Sequence, residues 1–336
     1  MDTLIFAANS VLPIILVILL GYWLRQIGFY SKAFLRTANK LVFNVGIPSY
    51  LFYNVYTIED FGQINVGVVV YCTLAILVLF FVGLGCTLLF TKEKGKRGVL
   101  TQCVFRSNFA IIGLTLAESI GGSDAVSIAA VLSAFSIPLF NVLAVITLSI
   151  FSENGSGRPS VKSILISIAK NPLIIGVVLA MICLFVRYLE PVGSDGQPVF
   201  TIKDDMPYLF KAVESVSSIA SPLALIVLGG QFTFSAVGSL AKEIVYGTTW
   251  RLVIAPVAAI GAAYLLTSWG VINVTAADYP TFIALFGSPV AVSSAIMAEA
   301  MGCHGELARQ LVVWTSLVSI ATVFFGIVIL RSLGMI

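Results

Sequence analysis

The sequence predicts an all-α polytopic membrane protein, and three observations predict it. Only 10% of the 336 residues are charged and 59% are hydrophobic. A soluble domain carries roughly a quarter charged residues, so charge this sparse cannot clothe a water-facing surface. Apolar runs long enough to cross a bilayer, at ~20 residues each, recur along the whole chain. The basic residues between those runs are also concentrated in alternate loops.

Ten such runs are expected to be ten transmembrane helices, at about 4–24, 41–56, 65–91, 99–120, 126–151, 171–188, 211–231, 244–269, 279–301 and 307–330. The first follows Met1-Asp2-Thr3, has no basic n-region, and ends in Arg25 without a small-residue cleavage site. It reads as a span and not as a cleaved signal. Polar residues interrupt the second and fourth. One membrane domain accounts for the length, with little left for a soluble domain.

Thirteen Lys and Arg residues fall in one set of loops: Arg25, Lys32, Arg36, Lys40; Lys92, Lys94, Lys96, Arg97; Arg158, Lys162, Lys170; Lys242; and Arg309. The other set holds four: Arg187, Lys203, Lys211 and Arg331. Basic excess marks the cytoplasmic side, so a multi-pass protein of the plasma (inner) membrane with both termini outside is expected. Most acids (Glu59, Asp60, Asp124, Glu190, Asp195, Asp204, Asp205, Glu214, Asp278) fall on the outer side. The inner loop 152–162 is Ser/Gly-rich, which reads as flexible.

Ten spans divide into five and five. Five is odd, so a duplicated half enters the membrane upside down, an arrangement common among secondary transporters. The expected division is a first repeat over 1–151, a cytoplasmic linker over 152–170 and a second repeat over 171–336. Residues 105–121 of the fourth span align without gaps on 286–302 of the ninth, with Ser107/Ser288, Glu118/Glu299 and Gly121/Gly302 in register. Weaker echoes join Pro13 in the first span to Pro172 in the sixth, and Ile47-Pro48 in the second to Ser221-Pro222 in the seventh.

A helix in lipid breaks only where protein or a wet cavity satisfies the freed backbone, so mid-span breaks point to a binding site. Pro289 lacks an amide hydrogen and its ring opposes the preceding turn. Ser288, Pro289, Val290 and Ser293 therefore form one candidate site segment. Ser107, Asn108 and Gly113 occupy the matched place in the fourth span. Two crossed broken helices bring half-helix N-termini to one point, where free N–H groups and partial positive charge suit a carboxylate. For Pro289 alone, a simple kink competes evenly.

Other buried polar residues admit two readings each. Asn141 in the fifth span and Asn44 in the second either line the cavity or bond a neighbouring helix. For Gln231, capping or packing is favoured over ligand contact. Arg106 and Arg251 lie inside spans towards the cytoplasmic side, and snorkelling to the interface is favoured over pairing with an anionic substrate or an acid. Glu118 and Glu299 read as solvated interfacial carboxylates, with gating or coupling as the alternative. The five cysteines show no CxxC spacing and read as packing residues. His304, the lone histidine, reads as a solvated helix-end residue and not as a metal ligand with Cys303 and Glu306.

Several of these segments together resemble the auxin efflux carrier family, which takes in plant auxin carriers and bacterial dicarboxylate permeases. They are residues 39–48 (Asn-Lys-Leu-Val-Phe-Asn-Val-Gly-Ile-Pro), Arg106-Ser107-Asn108 with Gly113-Leu114, residues 171–175 (Asn-Pro-Leu-Ile-Ile), Ser221-Pro222-Leu223-Ala224-Leu225 with Leu228-Gly229, and Pro289 followed by Met297-Ala298-Glu299. The resemblance covers nearly the whole chain. It implies two crossing broken helices, the fourth and ninth, like those of sodium–proton antiporters and bile-acid symporters. It also implies organic-anion transport, with Asn108 as a substrate-contacting asparagine and Asn141 near a polar site residue. Where relatives often carry Gly-x-Pro, this chain has Gly113-Leu114-Thr115, so the fourth-helix break relies on Ser107, Asn108 and Gly113.

The expected function is therefore a carrier for a small organic anion, a mono- or dicarboxylate or an auxin-like acid, working by alternating access. A receptor or sensor that binds the same ligand without moving it is the alternative. An enzyme is not expected: the spans lack paired aspartates and a zinc motif, and Asp204-Asp205 stands alone in an outer loop. The expected partners are the anion, the bilayer and a second copy of the chain, with no cofactor and no nucleic acid.

Overall fold

The computed structural model describes residues 2–57, 65–153, 166, 169–170, 172–189, 200–231 and 238–336. Most of the expected linker, including Arg158 and Lys162, lies outside these residues, as do Glu59, Asp60, Glu190 and Asp195. The described elements are helical, and the described residues form no strand, only one isolated bridge. Six helical segments are long and apolar enough to cross a membrane: Thr3–Gln26, Val66–Phe90, Phe109–Ile150, Pro207–Gln231, Gly238–Ser268 and Gly305–Ser332. The molecule is an integral, multi-pass membrane protein.

In chain order the helices are α1 (Asp2–Gln26), α2 (Lys32–Leu41), α3 (Ile47–Tyr56), α4 (Val66–Phe90), α5 (Lys94–Phe105), α6 (Leu114–Ile150) and α7 (Pro172–Leu189). Then follow α8 (Ile202–Asp205), α9 (Pro207–Gln231), α10 (Ala241–Thr249), α11 (Ala255–Ser268), α12 (Tyr279–Phe282), α13 (Ser293–Ala300) and α14 (Gly305–Ser332). The second expected span begins earlier than its apolar run, because the Ser31 hydroxyl caps α2 by accepting the Phe34 amide at 3.2 Å. α6 is two helices in one, bent at Gly122, whose φ of 63° is open to a residue without a Cβ.

Four π-turns interrupt the helices, at Val42–Gly46, Phe109–Gly113, Trp250–Ile254 and Ile283–Gly287. Such turns widen the helix by one residue and are frequent at functional sites.

The helices pack as two sets. α1 runs along α9, and α3 packs on α7 and α9. The other set joins α4, α5 and α6 to the segments α10 to α14. The first set is held by very close approach: a Cβ on Gly21 would fall on the Ile226 carbonyl, and one on Gly229 on the Ile18 carbonyl. Small residues at helix contacts are how helices pack where lipid offers no hydrophobic driving force.

One end of the bundle collects the basic loops. Lys96 Nζ sits 2.8 Å from Glu243 and 2.9 Å from Glu93. The Glu153 amide donates to the Gly302 carbonyl at 3.0 Å and the His304 amide to the Gly95 carbonyl at 3.4 Å. At the opposite end, the Asn65 side chain donates to the Asn273 carbonyl and the Ile202 amide to the Tyr56 hydroxyl.

Candidate functional site

The path from α5 to α6 is broken at Arg106-Ser107-Asn108, and the path from α12 to α13 at residues 288–292. The two breaks touch. Ser107 and Val290 form an antiparallel bridge. The Asn108 amide donates to the Pro289 carbonyl at 2.7 Å, and the Ala291 amide donates to the Arg106 carbonyl at 3.4 Å. Gly113 lets the segments come this close, since a Cβ there would stand 2.9 Å from the Ala284 carbonyl oxygen and 2.6 Å from the Phe109 ring.

Beside this contact lies a cavity of about 280 Å³. Arg106, Ser107, Asn108, Asn141 and Ser293 give it polar groups, and Phe43, Phe109, Ile137, Phe140 and Met297 give it apolar walls. It lies between the two helix sets, because Phe43 and Pro172 belong to the first set and the rest to the second. Two larger grooves, of about 620 and 580 Å³, are lined mainly by apolar side chains on α11 and α14 and at the junction of α4 with α10. Of these three cavities among the described residues, the small one has converging polar groups, the usual mark of a ligand site.

Its electrostatics have one sign. Arg106 is 4% exposed. Its guanidinium donates to Asn141 Oδ1 at 2.8 Å and Ser293 Oγ at 3.0 Å, and Nη1 lies 2.8 Å from Met297 Sδ. No described carboxylate pairs with it. Phe109-Ala110 and Val292-Ser293, at the first turns of two helical segments, also line the cavity. Amides of a first turn have no intrahelical acceptor and carry partial positive charge. Asn108 Nδ2 and Ser107 Oγ are buried without a hydrogen-bond partner. A buried cation, two helix N-termini and idle polar groups together make a cradle for an anion.

The structure thus gathers Arg106, Ser107, Asn108, Asn141 and Ser293 around one cavity. Ser288, Pro289 and Val290 stand behind it and build the break. The Ser288 hydroxyl donates to the Ala284 carbonyl at 2.5 Å, and the Val290 amide donates to Thr315 Oγ1 at 3.2 Å.

Two expectations need correction. Snorkelling is wrong for both arginines: Arg106 turns into the cavity, and Arg251 is fully buried, donating to the carbonyls of Val104 (3.0 Å), Leu285 (3.3 Å) and Phe286. Both find backbone or neutral acceptors inside the protein, which removes the drive towards the interface. Asn44 is exposed and does not reach the cavity; within the same π-turn Phe43 does. Gln231, half-buried at the end of α9, does not line the cavity, consistent with the capping or packing favoured for it over ligand contact.

Glu118 and Glu299 are both exposed; Glu118 accepts from the Tyr50 hydroxyl at 2.9 Å, and Glu299 pairs with Arg309 at 2.7 Å. Thr315 and the apolar wall were not singled out in the sequence. For Ile137 a signal existed, since it precedes Asn141 by four and shares its helix face.

A family model described as "Membrane transport protein" matches residues 6–161 and 152–327. The chain belongs to the membrane transport protein family. That match agrees with the auxin-efflux-carrier resemblance read from the motifs. Among its relatives, Uncharacterized transporter YfdV of Escherichia coli (strain K12) is 28% identical over 266 residues, covering 76% of this chain and 77% of its own length. An "Uncharacterized transporter" of Methanothermobacter thermautotrophicus is 23% identical over 321 residues, covering 94% of this chain and 96% of its own length. As a member of this family the chain is a membrane transporter, which fits the expectation that it is not an enzyme.

Proposed function

We propose that this chain is a secondary transporter for a small organic anion, held at the contact of the two broken segments. The observation that carries this reading is Arg106: a buried cation without an acidic partner, on the wall of a cavity that two helix N-termini also face. A lone buried charge is costly, and an anionic substrate would offset that cost. The volume suits a small mono- or dicarboxylate or an auxin-like acid. The site's place between two helix sets supports alternating access, one set moving against the other around it.

On this reading the chain has ten spans. The short segments α2–α3, α5 with the start of α6, α7 and α12–α13 join the six long apolar ones, and the halves 1–151 and 171–336 are inverted repeats. Asn108 and Ser107 contact the substrate, and Ser293 and Asn141 hold the arginine. The protein sits in the plasma membrane with both termini outside.

The test is flux. Purified protein in liposomes should take up or exchange radiolabelled mono- or dicarboxylates, and Asn108→Ala should abolish this. Binding without flux across a broad panel would favour a receptor; neither binding nor flux would sink the anion reading.

A further inference from the structure

We propose that Arg251 is a tethered cation that completes both helix breaks at once: a positioning residue that takes up the backbone carbonyls the breaks release. In an unbroken helix each carbonyl accepts the amide four residues on. The Val104 carbonyl would accept from Asn108, but that amide is turned to Pro289. The Leu285 carbonyl would accept from residue 289, which is proline and has no N–H. The Phe286 carbonyl would accept from Val290, whose amide is bonded to Thr315. These three orphaned carbonyls are the three acceptors of the Arg251 guanidinium.

The charge fits as well as the count. Val104 lies in the last turn of α5 and Leu285-Phe286 in the π-turn that ends the α12 segment. Both are C-terminal ends, which carry partial negative charge. Arg251 is 0% exposed and pairs with no described carboxylate. The two helix ends are thus its counter-charge. The planar guanidinium reaches three acceptors held by two different segments, a geometry a single ammonium does not reproduce. Arg251 itself sits in the π-turn Trp250–Ile254, on a third segment. One side chain thereby pins three segments, while the opposite, N-terminal ends of the broken pair are left facing the cavity. The proposal concerns the frame of the site and stands whether or not the cavity takes an anion.

The test uses the whole chain purified in detergent and needs no substrate. Hydrogen exchange is compared between the wild type, Arg251→Lys and Arg251→Met. Protection should fall by about tenfold or more in peptides covering 104–108 and 285–291, with little change in α1, α4 and α9. Arg251→Met should melt about 5–10 °C lower, with Arg251→Lys between it and the wild type. In Arg251→Ala, millimolar methylguanidinium should restore part of the lost melting temperature and leave the wild type unmoved. Wild-type protection at both breaks in Arg251→Met overturns the proposal, as does an even loss across all helices, which marks general packing. Should the neutral variants not fold, Arg251→Lys decides by the same two segments.

Discussion

Arg106 shows how much chemistry one residue carries here. Its neighbours Asn141 and Ser293 orient the guanidinium but leave its charge unbalanced. Removing one partner of a buried charge pair costs about 2–5 kcal/mol, so Arg106→Gln should weaken anion binding by about 30-fold or more. Arg106→Lys should recover only part, because it keeps the charge and loses the fork. A thermal-shift titration checks this: a carboxylate at about 100 times its Kd should stabilise the wild type by about 2.7 kcal/mol and Arg106→Gln by less than about 1 kcal/mol. An equal shift in both proteins would place the anion elsewhere. The sequence flags Arg106 as a charge inside an apolar run, yet chain position alone does not say whether it points to the interface or the interior. That depends on Asn141, 35 residues away, and no local pattern records such a pairing.

At the level of elements, legibility follows the same line. The breaks were readable, because Pro289 and the polar run Arg106-Ser107-Asn108 both oppose a continuous helix. The π-turns were not: Val42–Gly46 and Trp250–Ile254 carry Asn44 and Arg251 within apolar sequence, and neither polar residue by itself asks for a wider turn. There, one extra residue per turn decides that Phe43 faces the cavity and Asn44 does not. The close pairing of α1 with α9 was likewise hidden, since Gly21 and Gly229 look like any other membrane glycines until Ile226 and Ile18 are placed against them. Gly229→Val should separate these helices and destabilise the protein by more than about 2 kcal/mol, a cost typical of overpacking. Gly261→Ala and Gly326→Ala, where a Cβ meets open space, should be neutral or gain up to about 1 kcal/mol. Melting curves of the three variants in one detergent make the comparison. Equal melting temperatures would mean that α1 and α9 do not approach so closely.

For the whole molecule, composition alone indicated membrane residence, and the charge pattern adds an expected orientation. Lys96 from the start of α5 and Glu243 from the start of α10 meet at one end, with Gly95 and Glu153 bonded to the turn before α14. Those loops are the basic ones, so this end is expected in the cytoplasm. Asn273 and Thr201 belong to the opposite end, where Asn65 and Tyr56 hold their surroundings. The prediction is read by labelling in intact cells. With the five native cysteines replaced by alanine or serine, Asn273→Cys and Thr201→Cys should react with a membrane-impermeant maleimide. Lys94→Cys should react only after the membrane is opened. The native cysteines are free; Cys303, in the turn before α14, donates its thiol to the Leu148 carbonyl at 3.5 Å, so serine is the replacement there. Labelling of Lys94→Cys from outside would invert the molecule. The basic excess would then need a different cause.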